Sequence, residues 1–270
     1  MKKQFTLFAA TALAAMTVVP TIGFADDSAS KTPITYDSKG TVEFVAPTTP
    51  NKPLDPTNPD PNKPLDPKNP DGTPSNPGTS GPLTLDFASS FDFGKQEITS
   101  VDQTYNASAQ RLGDGKYVPD YAQITDNRGT FAGWTLSVKE TDSFHTSSNV
   151  ELKATQIKFA DLNHATTNTL KTDVTMPSAG FTLNPAGASV NIMSGAKAAD
   201  GKTNGTSGTH IIRFGNDNSL KTDTQANGEK RDNTVDPSVT LAVPGSSDKM
   251  AQKYTTTLQW TLGETPTTID

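Results

Sequence analysis

The sequence predicts an all-β protein with a single β-sandwich-like domain, preceded by a signal peptide and a proline-rich spacer. From Leu83 onward, short runs of alternating apolar and polar residues follow one another, with turn residues such as Gly113–Gly115 between them. No stretch shows a sustained helical period with helix caps. Alternation gives each strand one buried and one solvated face, and many such strands with frequent turns are typical of one sandwich or barrel-like domain.

The first residues have the features of an export signal. Lys2 and Lys3 precede an apolar stretch at residues 5–19, and residues 23–25 form a small-x-small cleavage site. The apolar stretch is interrupted by threonines and is shorter than the roughly 20 residues that a spanning helix needs. We therefore expect residues 1–25 to be a signal peptide, and the mature protein to be extracellular with no membrane span.

Charge and composition argue against several classes of protein. Cleavage removes Lys2 and Lys3 and no acidic residue, so the net charge changes from −6 to −8. An acidic chain without a cluster of basic residues is unsuited to binding nucleic acid. The absence of cysteine (0 in the sequence) excludes disulfides, a lipoprotein anchor and thiolate metal sites. The hydrophobic content of 32% is low and indicates that part of the chain carries no core.

Residues 47–82 are predicted to be an acidic, proline-rich spacer. Twelve of the 20 prolines lie there, and Asn51–Pro61 is followed by the near copy Asn62–Gly72, which gives an 11-residue repeat. Proline has no amide donor and a fixed φ, so we expect neither helix nor sheet. In the polyproline II conformation this segment would extend on the order of 100 Å. The alternative is a loop inserted into one domain, which requires the preceding residues to pack back.

Residues 26–46 are predicted to form an N-terminal β arm. Thr41–Val45 alternates polar and apolar residues, so Val42 and Phe44 would share one face of a strand. We expect this arm to pair with the domain that follows.

The domain itself is assigned to residues 83–270. Its alternating runs predict strands at Leu83–Phe87, Trp134–Val138, Val150–Ala154, Phe181–Leu183, Val239–Val243 and Leu258–Leu262.

Two Trp-x-Leu motifs occur in these strands. One is Trp134–Leu136; the other lies within Tyr254–Pro266, which reads Tyr-x-x-x-Leu-x-Trp-x-Leu-x-x-x-Pro. Together with the export signal, the acidic proline-rich segment and Gly81–Phe87, these motifs make the whole chain similar to the WxL domain surface cell wall-binding family of Gram-positive bacteria.

The resemblance implies an exported, non-catalytic protein that binds peptidoglycan without a covalent bond, through residues 83–270 as the WxL domain. It also implies surface complexes with a WxL-interacting protein and with sortase-anchored surface proteins. The C-terminal residues Thr267–Asp270 carry no sortase motif or apolar tail, which agrees with non-covalent attachment at the cell wall.

Strand geometry divides the motif residues between two faces, because residues two apart lie on the same face. A tryptophan flanked by leucines on its own face favours a core position over an exposed platform for stacking on sugars. The motif residues that we assign to the core are Trp134, Leu136, Tyr254, Leu258, Trp260, Leu262 and Pro266. The opposite face offers hydroxyl and amide groups for contact with the wall or a partner, from Thr255, Thr257, Gln259 and Thr261.

No catalytic, metal or cofactor site is predicted. His145, His164 and His210 have no paired spacing, and we expect each at the surface or in a turn. Gly195–Thr203 has five residues between its glycines, where a phosphate loop requires four, and we expect an exposed loop running to Gly208.

Acidic residues leave two alternatives open. A wall hydrolase would need two carboxylates within reach of one glycan bond, and the candidates are Asp114, Asp120, Asp126, Asp161 and Asp173. Calcium could bind at Asn216–Asn218 or at Asp232 and Asn233, but neither follows the spacing of a known calcium loop. Turn formation is the favoured role for these residues.

Three further hypotheses compete with direct wall binding. The domain could be a protein-interaction module that a WxL-interacting partner holds on the wall, an adhesin for host or environmental matrix, or the hydrolase just described. The composition does not select among them.

Overall fold

The computed structural model describes residues 34–170, 172–224 and 230–269. The signal peptide assigned to residues 1–25 and the first part of the arm, residues 26–33, lie outside the described residues. The chain divides into two compact units, Met1–Glu43 and Phe44–Asp270.

The second unit contains all the secondary structure of the described residues. Its one helical element is a 3-10 turn, η1 (Asp217–Ser219). Its strands are β1 (Pro67–Lys68), β2 (Leu83–Ala88), β3 (Gln103–Ser108), β4 (Gln110–Leu112), β5 (Tyr117–Val118), β6 (Tyr121–Asp126), β7 (Trp134–Glu140), β8 (Gln156–Phe159), β9 (Leu162–Thr166), β10 (Val174–Thr175), β11 (Phe181–Leu183), β12 (Val190–Gly195), β13 (Gly208–Phe214), β14 (Lys221–Thr224), β15 (Lys230–Val243) and β16 (Leu258–Gly263).

These strands form four small antiparallel sheets. The orders are β1-β4-β5, β10-β12-β7-β16, β2-β6-β13-β9 and β11-β8-β15-β14, and β3 pairs with the long strand β15. The all-β prediction is confirmed. The two-layer sandwich is not confirmed, because the strands divide among four sheets in a propeller-like ring.

Five of the six predicted strands are present, as β2, β7, β11, β15 and β16. The prediction for Val150–Ala154 was wrong. Asn149 and Ala154 have positive φ angles of 63° and 55°, which turn the chain at both ends of this run. Only an isolated bridge between His145 and Glu151 forms there.

The predicted strand Thr41–Val45 is also absent. Residues 34–46 carry no secondary structure and their side chains are exposed. Phe44, for example, is 90% exposed. The alternation of this segment therefore does not produce a strand in the part of the chain that the structure describes.

The proline-rich segment is not an extended spacer, and that prediction was wrong. Leu54 in the first repeat is buried, and β1 in the second repeat pairs with β4. Leu54 and the half-buried Leu65 belong to a hydrophobic cluster that is completed by Phe87, Leu112, Val118, Tyr121, Ile211 and Ala165. The inserted-loop alternative is not supported either, because it requires the preceding residues to pack back and residues 34–46 are exposed.

Carbonyl acceptors explain how so many prolines can pack on a sheet. Proline lacks an amide donor but keeps its carbonyl oxygen. The Leu65 amide donates to the Pro53 carbonyl at 2.8 Å. Gln123 bridges the segment to β6, since its Nε2 donates to the Lys52 carbonyl at 3.0 Å and its Oε1 accepts from the Leu54 amide at 2.8 Å.

A larger apolar core lies among the remaining sheets. Its fully buried side chains include Trp134, Leu136, Ile192, Met193, Ile212 and Phe214. Among the described residues, no helix has the length and apolar character needed to cross a membrane.

Candidate functional site

The two Trp-x-Leu motifs lie on neighbouring strands. β16 pairs antiparallel with β7, and Leu262 is opposite Leu136 while Trp260 is opposite Val138. The facing residues Ser137 and Thr261 are 124 positions apart in sequence. The repeated motif is therefore one structural unit, and the chain between its copies contributes β8 to β15.

Trp134 is a core residue. Its side chain is 0% exposed, and its indole N–H donates to the carbonyl of Thr206 at 2.8 Å. A Cβ atom at Gly195 would lie 2.6 Å from Trp134 Cε2, so the indole packs directly on the backbone of β12. Trp134 therefore has no surface to offer a sugar.

The loop between β12 and β13 encloses this tryptophan. We expected an exposed loop here, but Thr206 is fully buried and its carbonyl accepts the indole hydrogen bond. Asn204 Nδ2 donates to the Ala196 carbonyl, which closes the loop on itself. Residues 199–203 remain exposed.

The second motif is less deeply buried than the first. Tyr254, Leu258, Trp260 and Leu262 are partly buried and pack against the main hydrophobic cluster. Pro266, which we assigned to the core, is exposed. The partly buried side chains line the core side of an edge strand, which pairs with β7 and also lies near β2.

The opposite face of β16 is polar and open to solvent. Thr255, Thr257, Gln259 and Thr261 are all exposed. On β7, Lys139 pairs with Gln259 and Ser137 pairs with Thr261, so their side chains extend the same face. We call these six residues the polar strip.

Hydroxyl groups dominate the polar strip. Four of its side chains are Thr or Ser, one is an amide, and Lys139 supplies the single charge. Such groups form hydrogen bonds with sugars, peptides or amides but provide no aromatic stacking surface. The sequence identified each row by its alternation, but the pairing of two distant strands that joins the rows has no local signal.

An open cavity adjoins the strip at Thr255. It has a volume of about 410 Å³ and is lined by Ser147, Gln252, Lys253 and Thr255. The backbones of Thr255 and His145 exchange two hydrogen bonds of 2.9 Å, which fix this end of the strip. The residues that line the cavity include one cationic side chain, Lys253.

The prediction that every histidine lies at the surface or in a turn was wrong. His210 on β13 is fully buried, and its ring stacks on that of His164 with a centroid distance of 5.3 Å. His164 Nε2 and His210 Nδ1 are 3.0 Å apart. Burial and the neighbouring His164 lower the pKa of His210 to about 4. His210 packs beside Trp134, whereas His164 is half-buried.

The carboxylates show a similar pattern of burial. Asp120 and Asp236 lie close together, since the Asp120 amide donates to Asp236 Oδ2 at 3.0 Å, but both side chains are 0% exposed. Burial, followed by repulsion from Asp236, raises the pKa of Asp120. A glycan could not reach this pair.

The other acidic candidates have structural partners or lie in turns. Asp126 forms a double hydrogen bond with Arg128, with distances of 2.9 and 2.8 Å. Asp114 lies in the exposed turn after β4. Asn216 caps η1, which gives Asn216–Asn218 a role in chain geometry. In the described parts of the chain, no three His, Asp or Glu side chains are arranged to hold a metal ion.

Comparison with known proteins assigns the family. The model of the WxL domain surface cell wall-binding family matches residues 31–266, which is most of the chain. No curated protein and no solved structure matches. The match includes both Trp-x-Leu strands, the proline-rich segment and part of the arm. The chain therefore belongs to the WxL domain surface cell wall-binding family.

Proposed function

We propose that this protein attaches to the Gram-positive cell wall without a covalent bond and without catalysis, and that its polar strip contacts peptidoglycan directly. Membership in a surface cell wall-binding family supports the location at the wall. The family is not a known enzyme family. The exposed hydroxyl and amide groups of the strip support the choice of face.

We choose the polar face because the two sides of β16 differ in burial. The motif side chains Leu258, Trp260 and Leu262 pack against the core, whereas Gln259 and Thr261 are exposed. A ligand that approaches this strand from solvent meets the polar side chains first. The motif then acts by holding the strip in place.

A sacculus pull-down with matched variants tests the proposal. The mature chain is incubated with purified peptidoglycan, and the bound fraction is compared with that of the triple variant Thr257→Ala, Gln259→Ala, Thr261→Ala. We expect the variant to lose at least about tenfold in affinity, because each lost hydrogen bond contributes about 1 kcal/mol.

A triple variant on a different sheet provides the control. Gln156→Ala, Lys158→Ala and Thr182→Ala remove polar side chains from β8 and β11, where Thr182 faces Lys158. This control should bind like the unmodified chain, and circular dichroism should show that both variants fold. Equal retention of the strip variant and the unmodified chain would refute the strip as the contact face.

The same assay separates direct from indirect attachment. If the mature chain remains in the supernatant and is retained only when a WxL-interacting protein is added, the domain is a protein-interaction module. Retention of the chain alone supports direct contact with peptidoglycan.

A further inference from the structure

β16 ends its sheet, and no strand of the described residues pairs with its outer edge. It is the last strand in the order β10-β12-β7-β16. The amide of Thr141 donates to the carbonyl of Thr257 at 2.9 Å, so the odd-numbered residues of this segment bond toward β7. The amide and carbonyl groups of Leu258, Trp260 and Leu262 therefore point away from β7.

The side chains at this edge are incompletely covered. Trp134, Leu136 and Val138 on β7 are 0% exposed, whereas Leu258, Trp260 and Leu262 on β16 are only partly buried. An additional strand along β16 would bury more of these apolar side chains and satisfy the free backbone groups.

The same chain carries a segment with the complementary properties. Thr41–Val45 alternates polar and apolar residues, yet Val42 and Phe44 are 78% and 90% exposed. Large apolar side chains on a strand-like segment are costly to leave in water. The family match begins at residue 31, so this segment lies within the matched part of the chain.

We propose that residues 41–45 of one molecule add as a strand to the free edge of β16 in a second molecule. Val42 and Phe44 would cover the core side beside Trp260, and Glu43 would lie on the solvent side with Gln259 and Thr261. The five-residue segment is nearly as long as β16, which has 6 residues. The contact joins two different surfaces, so two molecules can close it reciprocally as a dimer, or it can continue from molecule to molecule in a longer assembly. This inference is independent of what the polar strip binds.

Charged substitutions on the two faces of the segment test the proposal. The variant Val42→Lys, Phe44→Lys changes the apolar face, and the control Thr41→Lys, Val45→Lys adds the same charge on the other face. All four side chains are exposed in the single molecule, so both variants should fold normally. Sedimentation of the mature chain over a range of concentrations should show association that weakens about 100-fold in the first variant.

In the control variant, association should be largely retained. A mature chain that remains monomeric at the highest attainable concentration would overturn the proposal. Equal weakening by both variants would do the same, because charge and not the apolar face would then be responsible.

Disulfide mapping locates the contact. The chain contains 0 cysteines, so each introduced thiol is unique. A Glu43→Cys chain mixed with a Gln259→Cys or Thr261→Cys chain should oxidise to a mixed dimer. Mixing with Lys158→Cys, an exposed position on β8, supplies the background. Equal yields with the β16 and β8 positions would show that the segment does not lie along β16.

Discussion

Gly195 lies against the indole of Trp134, where a side chain has no room. A Cβ atom there would be 2.6 Å from Cε2 and 2.8 Å from Nε1 of the indole. Because Trp134 is fully buried, it could move only by disturbing the core around it.

Gly195→Ala should therefore lower the free energy of unfolding by about 1–3 kcal/mol, the usual cost of overpacking. Urea unfolding followed by tryptophan fluorescence measures this change. Gly263→Ala on β16 is the matched control, since its nearest neighbour would be the Thr135 carbonyl at 3.7 Å. If both substitutions have the same small effect, Gly195 does not set the position of the indole.

Glu140, at the end of β7, is the buried acid with the clearest consequence for stability. Its side chain is 1% exposed, and neither carboxylate oxygen has a hydrogen-bond partner among the described residues. Burial raises the pKa of Glu140 to about 7, and the nearby polar side chain of Thr256 acts in the opposite direction. The folded protein thus holds this proton more tightly than the unfolded chain does.

The sign of the pH effect follows from this pKa. The contribution of Glu140 to stability is complete below about pH 4.5 and is lost as the pH rises through about 7. Relative to the unmodified chain, Glu140→Gln should gain up to about 3 kcal/mol of stability between those limits. Denaturant unfolding at several pH values measures the difference.

Because His210 also affects stability in this pH range, the effect of Glu140 must be measured as the difference in stability between Glu140→Gln and the unmodified chain. The pKa of His210 is lowered to about 4, so its own effect has the opposite sign: stability is gained as the pH rises from about 4 to its ordinary value of 6.5. This contribution is common to both proteins and cancels in the difference. A difference that does not change with pH would contradict the assignment to Glu140.

At the scale of elements, the proline-rich segment is the largest departure from the sequence prediction. Composition correctly predicts that this segment forms no helix. It does not indicate whether the backbone carbonyl groups of the segment will accept hydrogen bonds from the domain. Gln123 and the amide of Leu65 supply the donors, while Leu54 supplies the apolar contact. The two leucines of the repeat were visible in the sequence, but their partners lie on strands far along the chain.

Leu54→Ala distinguishes a packed segment from a spacer. In an extended spacer the substitution would cost almost nothing, whereas a buried leucine typically loses about 2–5 kcal/mol. We expect a value near the lower end, because Leu54 belongs to the smaller of the two hydrophobic clusters. The exposed Pro61→Ala is the control, and unfolding midpoints are the measurement. Equal midpoints for the two variants would favour the spacer.

Strand prediction succeeded where alternation coincided with one buried face, as in β7 and β16. It also identified β2, although Thr84 and Asp86 are buried there while Leu83 and Leu85 are only partly buried. It failed at Val150–Ala154, where Asn149 and Ala154 adopt left-handed backbone conformations that alternation does not reveal. It failed differently at Thr41–Val45, which has the right pattern but forms no strand with any described residue.

At the scale of the whole molecule, the net negative charge bears on which kind of contact binds the protein to the cell wall. The full chain has a net charge of −6, and the polar strip contains one charged residue, Lys139. Contact through hydroxyl and amide groups should depend little on salt, unlike contact between exposed charges.

We therefore expect binding to sacculi to change by less than about twofold between low salt and about 1 M salt. A cationic protein that binds the same sacculi is the control and should be released by salt. Release of the WxL protein in parallel with that control would show that ionic contacts, and not the strip, dominate attachment.

The sequence by itself determined the all-β class, the inward and outward sides of the two motif strands, and the family. These properties are local or compositional, because alternation defines the face of a strand and the Trp-x-Leu motifs define the family. Only the tertiary structure decided that the two motifs pair, that four sheets replace a sandwich, and that the prolines pack. Strand pairing is set by contacts between residues such as Ser137 and Thr261, 124 positions apart, and no local pattern encodes which distant edge a strand will meet.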